Sequence, residues 1–414
     1  MAFVATALSF LLIEVDQSLD SETVQELGFL YSFGPEGARA ILSAISSSMI
    51  TVAGLTFSMT MVTLQLATTQ YGPGLLRNFM RDRGNQIVLG TFIATFVYCL
   101  MVLRTVRGVE GSSFVPHISV AFGVLLALSS LAVLIYFIHH VASTIRIETL
   151  LSQLALETCG TIDRLYPECV DKCSPDLDGA TEAAAFALPP SSPRILVRSG
   201  TSGYVQQIDF DDVIRIAKTH DLCIWIASLP GDFVNPDDVI MAAHSTGRLP
   251  PEVSNQLRSA AVVGDERTPD QDLAFSIRRI VEIAQRALSP SANDPTTALY
   301  CIDRLGEAFV RLAGRKIPSP NRLESGKLRV VSAAASLDEL ACPAFAAIAR
   351  YSLGDADVAA SLLRTICMVV NAAGPSRLPM LLSLKGEISH RAAVEATLKV
   401  DQELITSAGR DAAS

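Results

Sequence analysis

The sequence predicts a membrane α-helical protein of about four transmembrane helices joined to a cytoplasmic domain. That domain is expected to hold a small α/β, barrel-sandwich-like module and an all-α region. Three observations lead there. Half of the 414 residues are apolar and mean hydropathy is positive. The apolar runs concentrate before about residue 140, and the remainder reads as an ordinary acidic protein. Finally, Ser43 to Gln70 carries no charge at all, and a helix needs only about 20 such residues to cross the apolar core of a bilayer.

The membrane part is expected over residues 1–141, with spans near 1–15, 43–69, 87–103 and 118–138. Met1 to Val15 is apolar but interrupted by Glu14, and it lacks the basic start and small-residue cleavage site of a secretory signal. It reads as a first span clipped at its start. Ile87 to Leu103 and Ile118 to Ile138 are clean spans. The first link holds Asp16, Asp20, Glu22, Glu26 and Glu36 against Arg39, whereas the second holds Arg77, Arg81 and Arg83. The positive-inside bias therefore places the second link and the long carboxy-terminal half in the cytoplasm of an inner-membrane protein. Arg104 and Arg107 in the third link soften that contrast.

The second span is the informative one. Ser47, Thr51, Gly54, Ser58, Met61, Gln65 and Thr68 recur at alternating steps of four and three, so they share a helix face. Small and polar groups have little to gain from lipid. One reading is a packing seam, in which small residues let helices approach and hydroxyls bond across them. The other is a pore lining, repeated around an oligomer axis, whose hydroxyls and amides replace part of a permeant's hydration. A second polar stripe, Thr56, Thr60 and Thr63, is expected to face a lumen if the first one packs. No acid or base sits in the middle of a span, which argues against a carboxylate proton relay and leaves passive conduction or transport of a neutral or anionic solute.

Beyond the spans, residues 142–193 read as a helical connector, extending the fourth span, followed by a loose linker rich in Pro and Ser. Residues 194–250 read as the α/β module, with a short helix from Asp211 to His220 capped by Asp211 or Asp212 and a strand from Leu222 to Ala227. Residues 251–414 read as helical: Asp270 to Leu288, Pro295 to Leu312, then about Leu337 to Arg350, Asp355 to Asn371 and Leu378 to Thr406, with Leu328 to Val331 as a lone strand.

Two polar stretches flank the first of these helices. A functional grouping would gather Asp265, Glu266, Arg267, Asp272, Arg278 and Asp294 around an ion or a partner helix. Capping accounts for most of them instead: Asp294 before Pro295 is a cap followed by a first-turn proline, and Thr268-Pro269 resembles another start. Cys159, Cys169 and Cys173 cluster without a fourth ligand nearby, so no metal is expected. No serine–histidine–acid order, zinc-binding helix or phosphate-cradling loop occurs, so neither an enzyme nor a cofactor is expected. A net charge of -9 with no basic patch excludes nucleic acid as a partner. The expected partners are the lipid bilayer, further copies of the chain, and a cytoplasmic protein or ion ligand.

Four separated motifs, SAISSSMITVAGLTFSMTMVTLQLATTQYGPGLLRNFMRDR, SGYVQQIDFDDVIRIA, GDERTPDQD and RALSPSANDPTTALYCIDRL, together resemble the predicted bacterial membrane proteins of Domain of Unknown Function 2254. The likeness covers nearly the whole chain, in order. Ser291-Ala292 stands where the family usually has glycine and isoleucine. The resemblance implies an integral inner-membrane protein with a cytoplasmic domain and carries over no catalytic residue. The sequence thus points to a homo-oligomeric channel-like or transport protein, with a non-transporting membrane scaffold or sensor as the alternative.

Overall fold

A computed structural model of the chain describes residues 1–18, 34–71, 83–107, 114–144, 146–168, 194–244, 252–352 and 354–410. The readings made for Asp20, Glu22, Glu26, Arg77, Arg81, Cys169, Cys173 and the linker up to residue 193 lie outside these. The chain forms two compact units, Met1–Thr149 and Leu150–Ser414.

The first unit is built from α1 (Ala2–Ser18), α2 (Pro35–Tyr71), α3 (Arg83–Thr105) and α4 (His117–Thr144). Continuous apolar sequence drives each, and the spans expected at 43–69, 87–103 and 118–138 fall inside the last three. α2 is far longer than its expected span, at 37 residues. The helices alternate in direction, and named contacts fix their levels. Leu42 of α2 packs with Tyr98, Cys99 and Val102 of α3. Eleven residues on, Ala53 packs with Val88 and Phe92 near the start of α3 and with Phe137 and Val141 near the end of α4. Arg39 donates to the Val106 carbonyl at 2.9 Å.

At the same end, the carboxylate of Asp16 accepts from the Ile118 and Ser119 amides at 3.0 and 2.9 Å and from the Ser119 hydroxyl at 2.6 Å. α1 therefore supplies the cap of α4, filling donors that an apolar helix start cannot satisfy itself. Mid-bundle, the Thr95 and Ser130 hydroxyls meet at 3.1 Å.

Among the described residues four helices are long and apolar enough to cross a membrane: Pro35–Leu66, Gly84–Thr105, His117–Val141 and Ala356–Ala373. The expected first span is α1, a 17-residue helix, which falls short of that set. Ala356–Ala373 was expected as a soluble helix. Some 61% of its apolar stretch is buried within the protein, against 22% for Pro35–Leu66, so its apolar character is that of a core helix.

α5 (Ile147–Leu165) belongs to the second unit from Leu150 onward. The continuous extension of the fourth span expected from Ala142 is instead two helices, since α4 ends at Thr144. Then follow β1 (Arg194–Arg198), β2 (Gly203–Ile208), α6 (Phe210–Thr219), β3 (Cys223–Ile226), β4 (Phe233–Val234), β5 (Val239–His244), α7 (Glu252–Ser259) and β6 (Ala261–Gly264). Next come α8 (Leu273–Ala287), α9 (Pro295–Ala313), β7 (Asn321–Glu324), β8 (Lys327–Val331), α10 (Leu337–Ser352), α11 (Ala356–Ala373), α12 (Pro379–Glu395) and α13 (Lys399–Arg410).

No barrel closes. The strands form two open sheets, ordered β1-β5-β3-β8-β7 and β4-β2-β6, which corrects the barrel-sandwich expectation. Leu328 to Val331 is no lone strand either: β8 pairs antiparallel with β7 and parallel with β3. Val330 lies opposite Ile224, and both are fully buried, so apolar burial holds this distant hairpin in register. The helix expected from Leu378 to Thr406 breaks between Glu395 and Lys399. α6 is capped by Asp209, whose carboxylate accepts from the Asp212 amide at 3.0 Å, not by Asp211 or Asp212. The cap expected of Asp294 is present, and Asp355 caps α11 in the same way.

Candidate functional site

At 100° per residue, the side chains that α2 turns toward its own chain define one direction. Ala38, Leu42, Ser46, Ala53 and Thr56 are buried, and Thr60 and Thr63 are half-buried on the same side. The Thr56 and Thr60 hydroxyls donate to the carbonyls of Val52 and Thr56 at 2.7 and 2.8 Å, so these two are satisfied within their own helix, whereas the buried Ser46 hydroxyl has no partner among the described residues. At the level of Ala53 this side borders α3 and α4.

Ser47, Thr51, Gly54, Ser58, Met61 and Gln65 are all exposed and lie directly opposite the buried side. The Thr51 hydroxyl donates to the Ser47 carbonyl at 2.8 Å. A Cβ added at Gly54 would meet nothing within 4 Å. Thr68 continues the helix, with its side chain outside the described residues. Among the described residues of this unit the stripe is thus not a seam: α1, α3 and α4 lie elsewhere. From the level of Ala53, where α3 has begun and α4 nears its end, Ser47, Thr51 and Gly54 stand alongside the packed helices. Ser58 stands at their ends, and Gln65 and Thr68 stand beyond.

The second polar group does not gather into one place. Arg267 and Asp272 come together, with Arg267 Nη2 at 2.6 Å and Nε at 2.8 Å from Asp272 Oδ2. Asp272 Oδ1 also caps α8 by accepting from the Phe275 amide at 2.9 Å, so the cap of this helix is Asp272 and not Thr268. The Asp272 carboxyl is pushed above the usual carboxylate range because burial outweighs its hydrogen bonds. Gly231 explains how the pair is enclosed: at φ +100°, a Cβ there would collide with both the Asp272 carboxylate and the Arg267 guanidinium. Arg278 instead pairs with Glu282 on the exposed side of α8 at 3.5 Å. Asp294 caps α9, accepting from the Thr297 amide at 3.1 Å and the Thr297 hydroxyl at 2.6 Å, a helix length from Asp272. Asp265 and Glu266 are exposed.

What the 264–272 loop does is join elements. Gln271 exchanges two hydrogen bonds with the backbone of Ile208 in β2, at 2.9 and 3.1 Å, as a neighbouring strand would. Gln206 donates to the Glu266 carbonyl at 2.7 Å. From the other side, Thr161 of α5 donates to the Pro269 carbonyl at 3.1 Å and Arg164 to that of Asp270 at 3.3 Å. Asp163 of α5 binds both Arg311, with Nε at 2.8 Å, and Arg315. Sequence reasoning missed Gln271, Gly231 and Asp163, because their partners lie 40 to 150 residues away; Gly231 alone had a local signal, in the Pro230-Gly231-Asp232 turn. Among the described residues no three His, Cys, Asp or Glu side chains are grouped to hold a metal.

A family model described as a predicted membrane protein (DUF2254) matches residues 1–368, and the chain belongs to that family. It is 34% identical over 350 residues to an uncharacterised protein of Mycobacterium bovis, and equally so to uncharacterised proteins of two strains of Mycobacterium tuberculosis. The match covers 83% of this chain but 66% of each relative, just under two thirds of their length. No solved structure matches it significantly.

Proposed function

We propose that this member of the DUF2254 family is a homo-oligomeric, channel-like or transport protein of the inner membrane. In this reading the outward face of α2 lines the path, and the second unit, on the cytoplasmic side, assembles the copies and regulates them without catalysing a reaction. One observation carries the proposal: the charge-free polar face of α2 points away from the other described helices of its own unit, α1, α3 and α4. Hydroxyl and amide groups are costly to leave in hydrocarbon, so that face is served best by water or by another copy. One chain's four helices enclose too little space for a path, hence several copies.

Purified protein in liposomes should pass ions, and Ser58→Leu or Gln65→Leu should change the flux at least severalfold. Vesicles that stay tight, or a flux indifferent to both substitutions, would remove the transport reading. The scaffold alternative would then stand, favoured by the hydrogen bonds that join α5 to the 264–272 loop.

A further inference from the structure

We infer that the interior of the first unit holds a single water molecule, bound by the hydroxyls of Ser46 on α2, Thr95 on α3 and Ser130 on α4. The site lies on the opposite side of α2 from its outward stripe and depends on neither transport nor assembly. Among the described residues of this unit six hydroxyl side chains are buried: Ser9, Ser46, Thr56, Thr95, Ser119 and Ser130. Ser9 and Thr56 each donate at 2.7 Å to a carbonyl of their own helix, and Ser119 donates to the Asp16 carboxylate at 2.6 Å. Thr95 and Ser130 bond each other at 3.1 Å. Ser46 is only 5% exposed, yet its hydroxyl has no partner among the described residues.

Helix register brings Ser46, Thr95 and Ser130 to one level. Ala53, Val88 and Phe137 belong to one apolar cluster where α2, α3 and α4 meet. Counting from that cluster, backward on α2 and α4 and forward on the oppositely directed α3, the seventh residues are Ser46, Ser130 and Thr95. Seven residues are two turns, about 10.5 Å of rise at nearly the same angle around the helix, so all three face the same junction one layer on. Beyond that layer the junction closes again: a Cβ at Gly123 of α4 would lie 3.3 Å from Leu42 of α2 and 3.7 Å from Cys99 of α3. Phe92 and Phe137 fill one flanking layer, and Leu42 and Tyr98 the other. The layer between carries three small side chains, so a close-packed bundle has its space there.

The chemistry of the three groups selects the ligand. Two hydroxyls that bond each other use one of their two hydrogens, which leaves a donor on the Thr95–Ser130 pair. Ser46 adds a second donor, and all three oxygens keep lone pairs. A buried water typically makes about three hydrogen bonds to polar groups that are otherwise unmet, which fits this set. At membrane depth an unmade hydroxyl bond is costly, because no bulk water reaches it. A metal cation would find no counter-charge: the sequence carries no acid or base between Arg39 and Arg77, between Arg83 and Arg104, or between His117 and His139. Neutral water is therefore the occupant, and it ties α2 to the contact between α3 and α4.

Water-edited solid-state NMR of the full, isotopically labelled chain in lipid bilayers tests the site. Magnetisation should pass from water to Ser46 Cβ and Thr95 Cβ at least fivefold faster than to Ala53 Cβ, buried two turns away among apolar side chains. In Ser46→Ala the transfer to Thr95 should fall to the level of Ala53. Equal transfer to Ser46 and Ala53, or a Thr95 signal that survives Ser46→Ala, would overturn the site. Thermal unfolding supplies an independent check. Ser46→Ala and Thr95→Val should each lower the unfolding temperature by a few degrees, and the double variant should lose no more than the larger single loss, because the water leaves with the first hydroxyl. Losses that add, or a Ser46→Ala protein as stable as the original, would contradict a shared water and leave Ser46 bonded within its own helix.

Discussion

Asp294 and Asp272 open successive helices with the same bond, yet different consequences attach to each. Asp294 is exposed and serves its own helix start, so Asp294→Ala should cost about 1 kcal/mol. Asp272 is 4% exposed and neutralises Arg267 behind Gly231. Asp272→Ala should cost about 3 kcal/mol, because an arginine with little access to water loses its partner. Urea unfolding of the full chain in detergent measures both, and equal losses would show that the Arg267 pair contributes nothing. Asp163 makes a prediction in pH. The hydrogen bond from Arg311, with the charges of Arg311 and Arg315 beside it, holds its carboxyl below the usual carboxylate range. A lowered folded value means the stabilisation is complete above about pH 4, where the unfolded group is ionised, and is lost as pH falls through the folded value. Asp163→Asn should therefore lower the unfolding temperature at pH 7 and have a smaller effect at pH 3. An equal effect at both would contradict the ion-pair account.

At the scale of elements, α2 offers an internal comparison. Thr56→Val changes a hydroxyl already bonded to its own helix, on the side facing α3 and α4, and should leave assembly unchanged. Ser58→Leu, two residues on, alters the outward face and should change the oligomer distribution on native gels. The opposite ranking would mean that the orientation of α2 is misassigned. α9 and α11 offer another: a Cβ at Gly306 would lie 2.8 Å from Thr365 Cγ2. Gly306→Leu should push the two helices apart at a cost of about 3 kcal/mol, read in the same urea series; a neutral result would contradict this close contact. The existence of these helices was legible in sequence, because apolar spacing and caps such as Asp294-Pro295 are local. So was the polar stripe itself. Its direction was not, since a helix repeat says which residues share a side but not which side its neighbours occupy. Non-local pairings were hidden for a like reason. β8 joins β3 from over 100 residues away, and Asp16 caps α4 from the end of another helix. Leu328 to Val331 was legible as a strand, but its pairing with β3, and the strand at 261–264 that pairs with distant β2, were not.

The whole molecule joins a membrane unit, whose longest described helix turns its polar side outward, to a second unit of two open sheets and a helical core. Under the proposed function water, and not lipid, meets the outward stripe of α2. Thiol accessibility in intact membranes tests this most directly: cysteines placed at Ser47 and Ser58 are exposed to a water-soluble, membrane-impermeant maleimide and quantified peptide by peptide. Leu128→Cys on α4, where Leu128 is 62% exposed, serves as the lipid-facing reference. The account predicts labelling at Ser47 and Ser58 at least tenfold above that reference. Labelling at both sites no faster than at position 128 would contradict it.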